Sequence, residues 1–460
     1  MKSLNMTEGM VTPLFIRFAI PLMLGDLFQQ LYIAADTAIV GRFAGDTALA
    51  AVSSSTFLIR MLIGLFVGIS AGASVIISHN IGARKFEKVT QVIHTMGALT
   101  LIGGVILSVF SILFSPALLR LVSTPIEIMK EATTYLQIYF AGALFQLIYN
   151  VGAGILRSFG DTKRPFVFLV VSSVCNIILD LLFVVCLPMG VAGAALATVM
   201  SQVVSAFCVL FVMIRTTQPY RLIVKDIHIN ISYVGEILHM GLPAGLQSVI
   251  VSLSNVIVQY HINLAGSDVV AGFGIFNKVD GVIMLPGSAL AMAAMTFVGQ
   301  NYGARRYDRI KEGIRSMCFL MTLGWLVGCV ICIFFYSPIC RLFTEKVEIM
   351  DYARMTMLYL VPAYFTMNIG YGFTCIIRAL NKSRAASIMY ISCMCIARQA
   401  WIVLAKYMGF GLSGILLSYP FSWILTLAVT GLYILYLISC NYSEPLRIRE
   451  SESSCLHVRG

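Results

Sequence analysis

The chain has 460 residues, 59% of them hydrophobic and 12% charged, with a formal net charge of +11. Its mean hydropathy is +0.88, whereas a typical soluble domain carries about 25% charged residues. So little polar surface cannot cover a water-soluble chain of this length, so an integral membrane protein is expected and soluble classes are excluded.

The N-terminal stretch "MKSLNMTEGMVTPLF" lacks the basic start, short apolar core and small-residue cleavage site of a signal peptide. The first helix is therefore expected to be retained. Twelve apolar segments then follow in chain order: 13–40, 48–80, 89–117, 128–156, 165–187, 190–214, 232–263, 269–301, 312–338, 349–378, 385–406 and 411–440. Each meets the ~20 residues that a bilayer span needs. An all-α polytopic protein is predicted.

The chain repeats itself. "NIGARKFEKV" (80–89) returns as "NYGARRYDRI" (301–310), an offset of 303 − 82 = 221. The same offset pairs Arg157 with Arg378 and Gly193 with Gly414. Six spans per repeat is an even number, so both halves face the same way. That predicts two six-helix bundles related by a pseudo-two-fold axis along the membrane normal, a transporter architecture with its path at the repeat interface. The predicted units are an N-terminal lobe (1–214), a basic linker (215–231), a C-terminal lobe (232–440) and a tail (441–460).

Lys and Arg crowd the even-numbered connections and the tail, among them Arg84, Lys85, Arg157, Arg215, Arg305, Arg306, Arg378, Arg447, Arg449 and Arg459. The odd-numbered connections hold only a few, such as Arg42, Lys130, Lys346 and Lys406. Both termini are predicted to be cytoplasmic. Basic charge scattered over short loops does not make a nucleic-acid surface.

A charge at the centre of a span costs about 2.5–3.5 kcal/mol on insertion scales. The intramembrane acids are Asp26, Asp36, Asp180 and Asp280, and the bases Arg60, Lys278 and Arg398. Asp26, Gln29, Gln30, Asp36 and Thr37 follow helical spacing on the first span, and Asn176 and Asp180, four apart, share a face of the fifth. Asp36, Asp180 and Thr198 all lie about 6–12 Å from the outer ends of their helices at 1.5 Å per residue. One oxygen-rich pocket in the outer half of the first bundle can collect these side chains with Asn176. Two carboxylates close together in a low dielectric resist ionising together, so such a pair can hold a proton. The same oxygens suit Na⁺, a hard cation. The competing reading is a hydrogen-bond network that only locks the bundle.

The stretch "FAIPLMLGDLFQQLYIAADTAIVGRFAGDTALAAV", the two "GAR" loops and "CNIILDLLFV" resemble the multidrug and toxic compound extrusion (MATE) family over roughly residues 11–440. The resemblance implies a twelve-helix antiporter that exports organic, often cationic, compounds against Na⁺ or H⁺. It implies small organic molecules and the bilayer as partners, no cofactor beyond the coupling ion, a monomer, and a multi-pass place in the inner (plasma) membrane. In the DinF-like branch a cation pocket uses an aspartate on helix one, an Asn and Asp four apart on helix five and a threonine on helix six. Asp36, Asn176, Asp180 and Thr198 fill those places. Pro21, fifteen residues before Asp36, matches a proline linked to bending of helix one. Asp26, Gln29, Gln30 and Tyr32 are then expected to line the substrate cavity. Asp26 stands where an amide is expected. The NorM-like branch places acids on helices seven and ten; "AGLQSVIVSLSNVIVQY" and "VPAYFTMNIGYGFTCIIRAL" contain none, so no cation site is expected in the C-terminal lobe. A flippase for lipid-linked saccharides is the rival within the wider superfamily; few basic residues within the spans favour small cationic cargo instead.

Other motifs read as packing. "GISAG" (68–72) matches the G-x-S-x-G hydrolase pattern, but that motif needs a strand-to-helix turn. "GLSG" (411–414) resembles the serine motif of rhomboid proteases, yet the only histidine beyond it is His457, in the tail. The twelve cysteines and six histidines show no metal spacing. Lys278 and Asp280, two apart, do not face each other directly; pairing with other helices and a role in transport are both open to them.

Overall fold

The computed structural model describes residues 4–441, so Arg447, Arg449, His457 and Arg459 lie outside the described residues. Among those described there is no strand. The membrane-spanning helices are α1 (Val11–Ala44), α2 (Asp46–Gly82), α3 (Phe86–Leu121), α4 (Ile126–Ala141 and Ala143–Ser158), α5 (Lys163–Cys186), α6 (Gly190–Arg215), α7 (Ile231–Asn263), α8 (Ser267–Gly303), α9 (Tyr307–Phe334), α10 (Val347–Ala379), α11 (Ser383–Tyr407) and α12 (Gly411–Ser439). Eleven are long and apolar enough to cross a membrane on their own, and α4 is a pair of helices bent by 49°. Every predicted span falls on one of them.

Three predicted spans are interrupted. α4 breaks at Gly142, α8 at Met284 and α10 at the 3₁₀ turn Val361–Ala363. Pro286 and Pro362 sit in first turns, where a missing amide hydrogen leaves no ladder bond unmade. The breaks in α4 and α10 are 221 residues apart, at Gly142 and Ala363.

The left-handed turns obey the same offset. Arg84 and Arg305 have φ of 57° and 56°, Gly160 and Asn381 79° and 65°, Gly45 and Gly266 90° and 113°, Gly190 and Gly411 58° and 56°. A positive φ is costly for residues with a Cβ, so its recurrence at four matched sites marks one backbone design used twice.

The halves meet along a glycine seam. A Cβ on Gly68 would stand 2.2 Å from the backbone nitrogen of Gly245, and one on Gly72 would stand 2.4 Å from Cα of Gly241. Small residues at i and i+4 on both α2 and α7 let the two backbones touch. At the end bearing Arg84 and Arg305, Gly82 abuts the backbone of Gln300 and Gly303 that of His79. Since 79 pairs with 300 and 82 with 303 in the repeat, each contact is the mirror of the other, the mark of a two-fold axis.

Gly68→Ala is therefore expected to destabilise the protein by about 1–3 kcal/mol, the range for overpacking. Gly274 has nothing within 4 Å of its would-be Cβ, so Gly274→Ala should be neutral or slightly stabilising. Thermal melting of the two purified variants against the parent checks this.

The buried apolar side chains form three clusters. One, at the Arg84/Arg305 end, draws on both halves through residues such as Phe15, Ile77, Phe297 and Ile377. The other two lie at the opposite end. One is built only from residues 40–195, the other only from residues 258–423. The bundles thus share a core at one end and part at the other.

Candidate functional site

Asp36 lies four residues before a π-helical stretch, Val40–Ala44. Asp180 is the last residue of the α-helical part of α5, and a second π stretch, Leu181–Cys186, follows it. Such wide turns re-aim side chains and recur at functional sites. The two stretches pack against each other. This brings the carboxyl groups of Asp36 and Asp180 within hydrogen-bonding reach. A proton or a cation can join them, whereas two ionised carboxylates have no donor of their own between them.

Asn176 lies one turn earlier on the same face of α5. It is 1% exposed and Asp180 is 0% exposed. Both polar atoms of Asn176, both oxygens of Asp180 and Oδ1 of Asp36 are buried without a hydrogen-bond partner. About 90% or more of buried polar groups in proteins have one, so a group of orphans in one pocket needs a reason. Four of these atoms are oxygens, a donor set that fits a proton or Na⁺. Thr198, on the neighbouring α6, donates its hydroxyl to the carbonyl of Ala194 at 3.0 Å. It is not hydrogen-bonded to the acids.

The pocket has walls that sequence reasoning missed. Tyr135 and Tyr139 of α4 are 5% and 7% exposed, and Tyr135 lies near both carboxyl groups and Tyr32. Tyr139 donates to Oε1 of Gln146 at 3.0 Å. Gln202 of α6 has a buried Oε1 without a partner. Two spacings pointed here: Tyr139 follows Tyr135 by four, and Gln202 follows Thr198 by four.

The stripe on α1 divides. Tyr32 joins the acid pocket, near Asp36, Tyr139 and Gln29. Gln30 points across to α8, where its amide nitrogen is 3.3 Å from a would-be Cβ on Gly281. Asp26 lies apart from the acid pair, beside Arg157 and Tyr149 of α4. Its repeat partner is Gln247, which accepts from Nη2 of Arg378 at 3.0 Å. The amide expected at position 26 is thus present in the second half, opposite the matching arginine. Pro21 is buried in an α-helix that runs unbroken from Val11 to Ile39.

A profile of the MatE family matches residues 21–182 and 243–400. The chain belongs to the MatE family. It is 31% identical over 358 residues to the probable multidrug resistance protein YoeA of Bacillus subtilis (strain 168), covering 75% of this chain and 76% of that protein. A second relative from that organism, the probable multidrug resistance protein YpnP, is 27% identical over 438 residues, 95% of this chain and 97% of that protein. A solved outward-facing structure of a multidrug resistance MATE family transporter of the MOP superfamily matches with a TM-score of 0.89 and 25% identity, over 95% of this chain and 98% of that one.

A MatE chain is a membrane transporter of the multidrug efflux family, not an enzyme. The "GISAG" glycines accordingly serve the α2–α7 seam, where Gly68 and Gly72 meet backbone. Among the described residues no group of three His, Cys, Asp or Glu could hold a metal ion.

The second half of this MatE transporter carries different chemistry. Ile257 and Trp401 stand at the repeat positions of Asp36 and Asp180. Asp280 accepts a hydrogen bond from the Tyr364 hydroxyl of α10, so it does pair with another helix. Lys278 makes no ion pair: the one ion pair among the described residues joins Arg164 to Asp161 at 3.4 Å.

Proposed function

We propose that this MatE-family transporter is a cation-coupled antiporter of the DinF-like type. It exports small organic, cationic amphipathic compounds and takes up H⁺ or Na⁺ through Asp36 and Asp180, with Asn176 and Thr198 beside them. The observation that carries this reading is the buried pocket of partnerless oxygens, a donor set that suits a proton or a small cation. Asp26, Gln29, Gln30 and Tyr32 line the cargo path on α1, and Pro21 is the hinge that couples the two. The proposed moving bodies are 1–214 and 232–440, joined by the linker 215–231, in the inner (plasma) membrane. The saccharide flippase reading is not carried further, since the relatives are named for multidrug resistance.

Dye efflux from loaded vesicles tests the function. An imposed inward gradient of H⁺ or Na⁺ should drive it. Efflux that ignores both gradients would remove the coupling.

The orientation proposed from the Lys and Arg bias puts both termini in the cytoplasm. Single cysteines placed in the 80–90 and 301–311 loops should react with a membrane-impermeant reagent only from the cytoplasmic side. Labelling of either loop from outside would invert or break the proposed topology.

A further inference from the structure

The C-terminal half holds a cavity of about 260 Å³. Part of its wall stands at repeat positions of the acid pocket's surroundings, although Ile257 and Trp401, the counterparts of the two acids, do not line it. Thr198 and Gln202 correspond to Tyr419 and Trp423 at the offset of 221, and Asn176 to Ala397, the residue before Arg398. A π stretch, Ser392–Ala397, again adjoins the site, and Arg398 follows it directly. A π stretch thus adjoins each site, with acids beside it in the first half and an arginine beside it in the second.

Arg398 is 1% exposed. Its Nε donates to Oγ of Ser422 at 3.0 Å, Nη1 to Oδ1 of Asn255 at 3.2 Å, and Nη2 to the Met394 sulfur at 3.5 Å. All three acceptors are neutral, and a thioether is a weak one. A guanidinium has five N–H donors, so some remain for a ligand. Among the described residues no carboxylate lies within ion-pair distance of Arg398. Its Cζ sits 4.6 Å from the Tyr419 ring centroid, a favourable cation–π contact that does not neutralise it. A buried charge without an ion partner is costly.

A second donor in the cavity is orphaned. Trp423 is 3% exposed and its indole N–H has no acceptor. Its ring stacks on Tyr364 at 5.2 Å and 24°, and Tyr364 stacks on Phe276 at 6.5 Å and 8°. One wall is therefore a run of nearly parallel aromatic faces. Asp280 lines the same cavity and holds the Tyr364 hydroxyl, so a dianion would meet repulsion there.

We propose that this cavity is a second ligand site, which takes a planar aromatic monocarboxylate. The carboxylate accepts from Arg398 and from the Trp423 indole, and the ring lies against the aromatic wall. A cavity near the lower end of small-ligand pockets fits a fused bicyclic ring with one acid group. Beside Arg398 and the Trp423 N–H a cation meets a like charge and a donor, while the Asp280 carboxylate is held by the Tyr364 hydroxyl. The transporter then has a cation pocket in one half and an anion pocket in the other.

The test uses the full-length purified protein and three probes of one shape: 2-naphthoate, neutral 2-naphthamide and cationic 2-naphthylmethylammonium. Binding is read by calorimetry and by tryptophan quenching. Naphthoate should bind about tenfold or more tightly than naphthamide, the size of one charge-assisted hydrogen bond, and the ammonium should not bind at this site. Arg398→Gln should erase the preference for naphthoate, and Trp423→Phe should remove the quench. Equal affinity for naphthoate and naphthamide in the parent would overturn the proposal even if Arg398→Gln failed to fold. So would a quench that survives Trp423→Phe, or a naphthoate preference that survives Arg398→Gln. Naphthoate binding is read on purified protein with no ion gradient, so failure here and failure of gradient-driven efflux are separate results.

Discussion

Asp180→Asn should abolish gradient-driven efflux and leave the protein folded. Asp180 is fully buried, and neither oxygen has a hydrogen-bond partner. A partnerless buried carboxylate is a liability for folding. Asn has the same shape and no charge, so the variant should melt at the parent temperature or above it. A carboxylate kept only to lock the bundle behaves the opposite way, since its loss lowers the melting temperature. Coupling between sites is worth about 1–3 kcal/mol, or about 5–150-fold, and the variant should lose all of it. Asp280 lies in the other half and already holds the Tyr364 hydroxyl, so Asp280→Asn should cost much less efflux. Vesicle efflux paired with thermal melting decides the matter. If Asp280→Asn stops transport while Asp180→Asn spares it, the assignment to the N-terminal half is wrong.

Asp36→Asn should make cargo affinity independent of pH and Na⁺. In the parent, cargo affinity should fall as external pH falls or as Na⁺ rises. The reason is linkage: an ion that weakens cargo binding by some factor is itself weakened by cargo by the same factor. In the proposed pocket Asp36 and Asp180 would share the ion, yet only Asp36 stands on the helix that also carries Asp26, Gln29, Gln30 and Tyr32. On this reading, loading the pocket would pull on α1. Pro21 leaves one amide hydrogen out of the helix ladder, so α1 would yield there first, and the bend would move the polar stripe that is proposed to line the cargo path. Calorimetric titration of cargo across pH and Na⁺ reads the slope directly. A slope unchanged in Asp36→Asn would assign Asp36 to structure alone.

Part of the site was legible because it is local. Helical spacing alone puts Asn176 and Asp180 on one face, and an apolar run marks Asp36 as an expensive residue kept for a reason. Counting residues from helix ends placed Asp36 and Asp180 near the same end, where the apolar cluster around them draws only on residues 40–195. Asp26 was grouped with the same stripe by spacing, but it faces Arg157 of α4, a partner that periodicity on α1 cannot name. The breaks in α4, α8 and α10 were also missed, since an apolar run reads the same whether its helix is straight or bent.

The sequence by itself determined the membrane class, the twelve spans and the twofold repeat at 221 residues, because hydropathy and self-similarity need no neighbours. Only the tertiary structure decided which helices face one another. Backbone contact at Gly68, Gly72, Gly241 and Gly245 sets the seam between the halves. π stretches turn Asp36 and Asp180 toward each other, and α4 supplies Tyr135 and Tyr139 as their wall. The same scaffold in the second half leaves Arg398 buried without an anion. Each of these depends on packing between helices far apart in the chain, and the periodicity of one helix carries no information about its neighbour.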